Sequence, residues 1–519
     1  MSRYRIILLW LLIYPACILA QDEFRVRDES YDQPEHTDQE GRTPIDWQAG
    51  TIEFDRRIGD DVRRLLDDVV FIHDDTRMFC DSAYLYSEAN TLRAFSNIII
   101  EVSDTVTIYG DQLFYDGNRR WAELTGNVRM VDPQMTLYTH YLEYDLNANT
   151  ANYLDGGRIV DAENELISRW GFYYADNKEF FFRDDVVLIN PEYIMETDTM
   201  MYNTATEIAY FFGPTTIVSD ENTIFCRNGW YDTRNDIARF SRDAFFTNQE
   251  QSMTGDSVFY DRNTGYGRAV NNVLIRDSIE NVVITGHFAE HFEEQGLSVV
   301  TRDAMLTMIA DNDSLFLHAD TLKSLYHKET DERQIFAYHR ARFFRHDLQG
   351  LSDSIVYNMA DSVIYMFHDP VLWSGMYQMT ARNIEIKTTE DEVQWIQLHD
   401  AAFIISEEDT LGFNQMKGRS MVGYFRDNAL WRVDVDGNGE TIFFIREDDG
   451  SLAGINKAVS SNITIFVEGT EVTGIQFIRQ PEATLFPPED LPADDRLLRN
   501  FHWLDHRRPQ DKRDIFEWR

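Results

Sequence analysis

Residues 110–116 read Gly110-Asp111-Gln112-Leu113-Phe114-Tyr115-Asp116, and this stretch returns along the chain. Residues 139–145 read THYLEYD, 168–174 SRWGFYY, 197–203 TDTMMYN, 226–232 CRNGWYD and 255–261 GDSVFYD. The tyrosines Tyr115, Tyr144, Tyr173, Tyr202, Tyr231 and Tyr260 stand 29 residues apart at every step. A mostly small residue follows each: Ala122, Ala151, Phe180, Ala209, Ala238 and Gly267. A third anchor comes next, Gly126-Asn127-Val128-Arg129-Met130, with counterparts Asp184-Asp185-Val186-Val187-Leu188 and Asn271-Asn272-Val273-Leu274-Ile275. Weaker copies begin near Cys80-Asp81 and continue through Asp320, Asp353 and Asn383. About a dozen such units fill residues 51–480.

Within a unit, Leu113 and Tyr115 alternate with Phe114, and Val128 and Met130 alternate with Arg129. That period of two, rich in aromatic and β-branched residues, is the mark of a strand. Asp116-Gly117-Asn118, Asp145-Leu146-Asn147, Asp232-Thr233-Arg234-Asn235 and Asp261-Arg262-Asn263 are turn clusters. Each unit is therefore two strands and a polar turn. The segment 61–68 (DVRRLLDD) admits a helical turn or two, or a degenerate copy of the third anchor. A two-strand unit cannot bury its own apolar face, but stacked units bury a continuous interior. The predicted fold is all-β: an elongated repeat of antiparallel strands stacked edge to edge. At ~4.8 Å per strand it forms a rod on the order of 100 Å long. Cys80 and Cys226 lie five units apart on that rod, far beyond the ~7 Å reach of a disulfide, and are expected to be free thiols.

The chain has 519 residues, with 48 Lys and Arg against 89 Asp and Glu, a formal charge of −41. Its 43% hydrophobic content excludes wholesale disorder. The acidity argues against nucleic acid, or a bare anionic membrane, as partner. Residues 1–20 carry Arg3 and Arg5, the apolar run IILLWLLI at 6–13, Pro15 and Ala20. They predict a secretory signal peptide cleaved near Ala20, with an uncleaved anchor or lipidation at Cys17 as lesser alternatives. Residues 21–50 are acidic and polar, and disorder is expected there. Pro481, Pro487, Pro488 and Pro492 end the repeat. Residues 481–519 are then a Pro-rich, charged tail, either loose or a docking segment anchored by Trp503, Phe516 and Trp518. The mixed charge leans toward a loose tail.

Catalytic constellations are missing: there is no G-x-S-x-G, no H-E-x-x-H and no phosphate-binding glycine loop. No catalytic residue, metal ligand set or cofactor is expected. His287 and His291 are expected to be a surface pair rather than ligands. Asp434 to Glu440 (DVDGNGE) opens like a calcium loop, but its twelfth position is Ile445 rather than Glu. A turn between two strands is expected there. The frequent aspartates suggest a sugar-cleaving solenoid, yet they recur in every unit, whereas catalytic residues normally occur once.

The repeat G-D-x-L-x-Y-D … A-x-L-x-G-N-V-x-M behind a signal peptide resembles the organic-solvent-tolerance (OstA-like) family. That family includes the periplasmic bridge protein of lipopolysaccharide transport and the N-terminal domain of the outer-membrane translocon. Residues 108–132 and 253–277 match best, and the block 431–444 with Gly454-Ile455-Asn456-Lys457 is similar to the last repeats of long members. The resemblance implies a β-jellyroll, V-shaped in section and open-sided, joining partners through its sheet edges. It also implies a non-catalytic protein of a Gram-negative periplasm, or associated with the outer membrane, that shields the acyl chains of lipopolysaccharide or a related lipid. The partners implied are that lipid, an inner-membrane complex and the outer-membrane translocon. No run of membrane-barrel strands follows the repeats, so the complete translocon is not expected. An anionic lipid requires the acids to face away from the groove, or divalent cations to intervene.

Alternation alone nominates the inward residues, and it leaves the opposite face as the other candidate for the inner one. The lipid-groove candidates are Leu113, Tyr115, Val128, Met130, Leu142, Tyr144, Tyr202, Val258 and Tyr260. Packing and register are the first explanation of the tyrosines, and ligand contact the second. The alternative function is a structural or adhesive β-solenoid with a closed core and no ligand.

Overall fold

The computed structural model describes residues 43–518, except 55, 103–105, 134, 221, 311–312, 331, 390–391, 409–411, 448–450 and 470. The signal peptide and residues 21–42 lie outside the described residues. The protein is an all-β, antiparallel repeat jellyroll, as predicted, divided into two compact units that meet at Gln249 and Glu250.

In the first unit the strands Val62–His73, Thr76–Tyr86, Thr91–Glu101, Thr107–Asp116, Trp121–Val131 and Thr136–Asp145 each pair antiparallel with the next. Two split rungs follow, Thr150–Tyr153 with Gly157–Val160, then Glu165–Ser168 with Trp170–Tyr174. Glu179–Asn190, Tyr193–Asn203, Ile208–Ser219, Thr223–Asp232 and Ile237–Thr247 complete the stack.

Each long strand bends in the middle. At the bend of alternate strands two residues in a row take positive φ: Asp67-Asp68, Ser96-Asn97, Gly126-Asn127, Asp184-Asp185 and Arg242-Asp243. The pairing register slips at these points, as between Leu66 and Val69 and between Thr125 and Val128. Glycine, asparagine and aspartate enter the left-handed region at least cost, which is why the third anchor of the repeat is written in those letters. The aspartate of the G-D-x-L anchor holds the bend one strand over. Asn97 Nδ2 donates to Asp81 at 2.8 Å, Asn127 Nδ2 to Asp111 at 2.7 Å and Asn272 Nδ2 to Asp256 at 3.1 Å.

The bend divides every strand into two limbs. The tyrosine limb ends at the polar turns. There the Asp or Asn after most of the tyrosines accepts backbone N–H groups: Asp116 from Asn118 and Arg119, Asp145 from Asn147 and Ala148, Asn203 from Ala205 and Thr206, Asp232 from Arg234 and Asn235. Each turn then donates to the turn one repeat earlier, Leu146 N to Arg120 O, Ala175 N to Asn149 O and Thr204 N to Lys178 O. The other half of each strand, the far limb, folds back so that both inner faces meet. Tyr153 fills the space between them, its hydroxyl 2.6 Å from Ser168 Oγ. A Cβ added at Gly157 or Gly171 would come within 2.3 Å of that ring.

Disorder was expected up to residue 50, and the structure corrects this for residues 43–50. Asp46–Gln48 and Thr51–Glu53 lie along Val62–His73 as an edge strand, and Ile45 is buried. Unpaired backbone groups on that first long strand supply the reason.

The second unit repeats the scheme from Gln251–Asp261 through Leu452–Glu468, and closes with Glu471–Ile478 and Glu482–Phe486 on the two limbs of the strand before them. The repeat thus runs past Pro481. Two local expectations are corrected here. Asp434 to Glu440 is not a turn between strands; Ala429–Arg446 runs through it, with a bend at Gly437-Asn438. Asp434 faces Arg432 at 2.7 Å and Asp436 faces Arg419 at 2.5 Å. His287 and His291 are not a surface pair, because His287 is exposed and His291 is buried. His287 stands at the bend itself, where the register shifts opposite Asn271-Asn272, so the alternation that buries His291 does not extend to it.

Residues 487–518 are not a loose tail. They lie as a strap across the outer face of the far limb, with Leu491 and Leu498 buried against Phe403, Ile405, Ile442, Phe444 and Ile455. Further along, Leu504 packs on Leu351, Val371 and Trp373. The far limb of this unit is therefore covered on both faces and reads as continuous apolar runs such as Ala402-Phe403-Ile404-Ile405.

The bend carries a stability prediction. At Gly126 (φ +78°) an added Cβ would meet Asp111 Oδ2 at 2.6 Å. Gly126→Val is expected to lower stability by roughly 1–3 kcal/mol, read as a lower urea midpoint. Arg129→Gln, on the outer face of the same strand, is expected to leave the midpoint within about 0.5 kcal/mol of the parent.

Candidate functional site

The two limbs enclose a column of inward side chains. From Val62–His73 to Thr136–Asp145 this column is sealed. Leu113, Tyr115, Val128, Met130, Leu142 and Tyr144 are all buried, with Tyr115 and Leu142 at 0% exposure. Val258 is buried in the second unit, whereas Tyr202 and Tyr260 are partly exposed. The alternation named the inward face, but sealing is a matter of how the limb ends meet.

At the sealed end the limb ends are clasped. Tyr115 on the tyrosine limb lies 2.6 Å from Nδ1 of His73 on the far limb. His73 Nε2 is 3.0 Å from the carbonyl of Thr43, so Nε2 carries the proton and Tyr115 donates to Nδ1. Arg120 spans the same gap, its two terminal nitrogens each 2.9 Å from a carboxylate of Asp74 or Asp75. Burial pushes the Tyr115 phenol well above its usual range, and that of Tyr144 up to about 12.

Beyond Tyr153 the inward residues at the limb ends become partly exposed. On the tyrosine limb, Tyr173, Tyr202 and Tyr231 are partly exposed; on the far limb, Leu188, Ile217, Ile224 and Phe246 are too. Between these rims the floor stays buried: Phe182, Val186, Phe211, Thr215, Cys226, Phe240 and Ala244. The result is a trough with a closed floor and open lips. Its lining is strongly aromatic. Tyr173 stacks on Phe180 at 4.3 Å between centroids, and Phe240 meets Phe246 edge-on at 5.3 Å. Among the described residues no Asp or Glu is buried. The carboxylates stand on turns and outer faces, and Asp161 and Glu207 lie near enough to Tyr202 to help burial raise its phenol.

Of the nine candidates, the structure brings Leu113, Tyr115, Val128, Met130, Leu142 and Tyr144 together in the sealed stretch. Tyr202 stands on the open lip. The residues that sequence reasoning did not single out are Leu188, Ile217 and Phe246 on the opposite lip. Their signal was present, since they continue the column of Met130 at the repeat spacing.

The OstA-like protein family matches residues 47–198 and 194–256, the stretch that contains both the sealed column and the trough. No curated protein matches the chain.

Two measurements check this geometry. Cys80 and Cys226 are separate, buried free thiols, and burial raises their pKa to about 12 and about 11. In a chain lacking residues 1–20, Ellman's reagent at pH 8 is expected to label neither in the native state and both in guanidinium. His291 stands where the column would place a tyrosine, and burial lowers its pKa from 6.5 to about 3. The unfolded chain takes up this proton near pH 6.5, while the folded chain resists until about pH 3. Stability from this group is thus full above pH 6.5 and drains away as the pH falls toward 3. His291→Gln is expected to lose less stability than the parent between pH 7 and pH 4, measured as denaturation midpoints.

Proposed function

We propose that this protein is a non-catalytic, periplasmic lipid carrier of the lipopolysaccharide-transport type, working in outer-membrane assembly and exported by a cleaved signal peptide. The observation that carries the proposal is the trough between the tyrosine and far-limb lips. It is an apolar, aromatic, carboxylate-free strip with a buried floor and partly exposed rims.

Acyl chains are the ligand such a strip suits. Each methylene moved from water onto it is worth about 0.8 kcal/mol, and the contact needs no directional bond, so a chain can slide. The one thiol in the lining, Cys226, is buried with its pKa raised to about 11, and no acid–base pair or metal ligand set stands among the named lining residues, which fits carriage rather than catalysis. The charge of −41 is compatible with an anionic lipid because the acids stand outside the strip. Carboxylates near the lips leave room for divalent cations to bridge to phosphate groups of the ligand. The sealed column through Leu113, Tyr115, Val128, Met130, Leu142 and Tyr144 continues the same strip. A chain passing there parts the limbs by releasing the His73–Tyr115 and Arg120–Asp74 clasps. Val258 and Tyr260 carry the same inward positions in the second unit. Open sheet edges at the terminal strands are where the inner-membrane complex and the outer-membrane translocon would dock.

A second reading, a structural β-solenoid without ligand, is favoured by one observation: the inward side chains of the sealed column are already buried. Photocrosslinking in cells separates the two. A photoreactive residue replaces Tyr202, Ile217 or Phe246 on the lips, Leu113 in the sealed column, and Val218 on the outer face. Lipopolysaccharide adducts at the lips and none at Val218 are the expected result. No adduct at any inward position, in folded and exported protein, would transfer the assignment to the solenoid.

A further inference from the structure

The strap is bound in a way that packing alone does not require. Three glutamines, Gln349, Gln378 and Gln415, lie on the outer face of the far limb, each no more than 2% exposed. Gln415 takes the strap by both ends of its amide: Nε2 donates to Arg496 O at 2.8 Å, and Oε1 accepts from Leu498 N at 2.8 Å. Gln378 does the same six residues on, with Nε2 donating to His502 O at 2.7 Å and Oε1 accepting from Leu504 N at 2.6 Å. Gln349 Oε1 accepts from Arg508 Nε at 2.8 Å. Arg342, equally buried, donates to the carbonyls of Asp514 and Glu517.

A side-chain amide that meets the carbonyl of residue i and the N–H of residue i+2 imitates a neighbouring strand. It reads main chain, not side chains. Between these rungs the strap sets an apolar residue into the face at intervals: Leu491, Leu498, Phe501, Leu504 and Ile515. Main-chain rungs for affinity and apolar sockets for register are how sheets recognise extended peptides. A buried glutamine is costly without partners. Here the strap's backbone supplies all the partners of Gln378, so the amide is matched to an occupant. Among the described residues the far limb of the first unit carries no buried glutamine, and its outward residues Ile167, Ile189, Ile194 and Val218 are exposed.

We propose that the outer face of the far limb from Arg342 to Ile455 is a peptide-binding groove, and that its resident ligand is the chain's own residues 490–518, held as a separable segment. The groove is distinct from the trough, and this assignment does not depend on the lipid reading. It takes an extended peptide with apolar residues spaced along it. The chain's own segment occupies it because tethering gives that segment a high effective concentration.

The test uses the full chain with a protease site inserted between Glu489 and Asp490, in the exposed loop that follows Glu482–Phe486. After cleavage the segment is expected to co-elute with the folded remainder and to exchange with a fluorescent synthetic peptide of residues 490–519. Gln378→Leu and Gln415→Leu are each expected to weaken the peptide on the order of tenfold. The uncleaved variants control for folding by circular dichroism. Three results would overturn the groove. One is unfolding of the protein on cleavage, which makes the strap part of the core. Another is a segment that never exchanges short of global unfolding. The third is peptide affinity unchanged in both glutamine variants, which reduces the contact to non-specific apolar cover.

Discussion

Two consecutive left-handed residues in the middle of a strand are the constraint on which this structure rests. A straight stack of antiparallel strands would be a flat sheet with one face bare. The paired positive φ values at Asp67-Asp68, Gly126-Asn127 and Asp184-Asp185 turn each strand through a corner, so the sheet lies down on itself. L-residues enter that region at a cost, and the cost is offset locally. The carboxylate of Asp81, Asp111 or Asp256 reaches across from the neighbouring strand to the amide of the corner asparagine. The corner therefore needs its neighbour, and the bent strand is a property of the stack rather than of any single unit.

The corner also explains what could and could not be read from the letters. Within a limb the alternation is intact, so Leu113 and Tyr115, or Val128 and Met130, share a face as period two requires. Across the corner the count slips, and parity arguments fail. His287 and His291 are four apart, yet His287 stands at the corner and is exposed while His291 is buried. The motif G-N-V marks the corner of a strand, though as a string it resembles the opening of one. Asp434 to Glu440 misled for the same reason, since glycine and asparagine announce a reversal of chain more often than a bend in a strand that carries on.

The exposure of the lips was not legible, because it depends on what covers the limb ends and not on composition. Tyr115 and Tyr202 occupy the same position in equivalent units, and only the first is sealed. What differs is the company at the limb end: His73 and Arg120 clasp the first, whereas Thr233, Glu207 and Asp161 stand near the second. The strap left a trace in the sequence that composition obscured. Where the far limb is half-exposed it alternates, as in Val128-Arg129-Met130. Where it is covered on both faces it runs on, as in Val371-Leu372-Trp373 and Ile442-Phe443-Phe444. A proline-rich, charged segment looks loose by its content. Continuous apolar runs elsewhere in the chain were the sign that something had to cover them.

The turns of the tyrosine limb bear on inheritance. Most turns satisfy their own backbone with one Asp or Asn side chain and pass one hydrogen bond to the turn before, as Leu146 does to Arg120 and Ala175 to Asn149. Nothing in that ladder refers to a position further away. Duplication of a whole unit inserts a rung whose every contact is already specified by its neighbours, and loss of one closes up without a scar. The gene can therefore lengthen or shorten the protein by recombination between its own repeats, and the chain's reach becomes a trait that selection adjusts in whole steps.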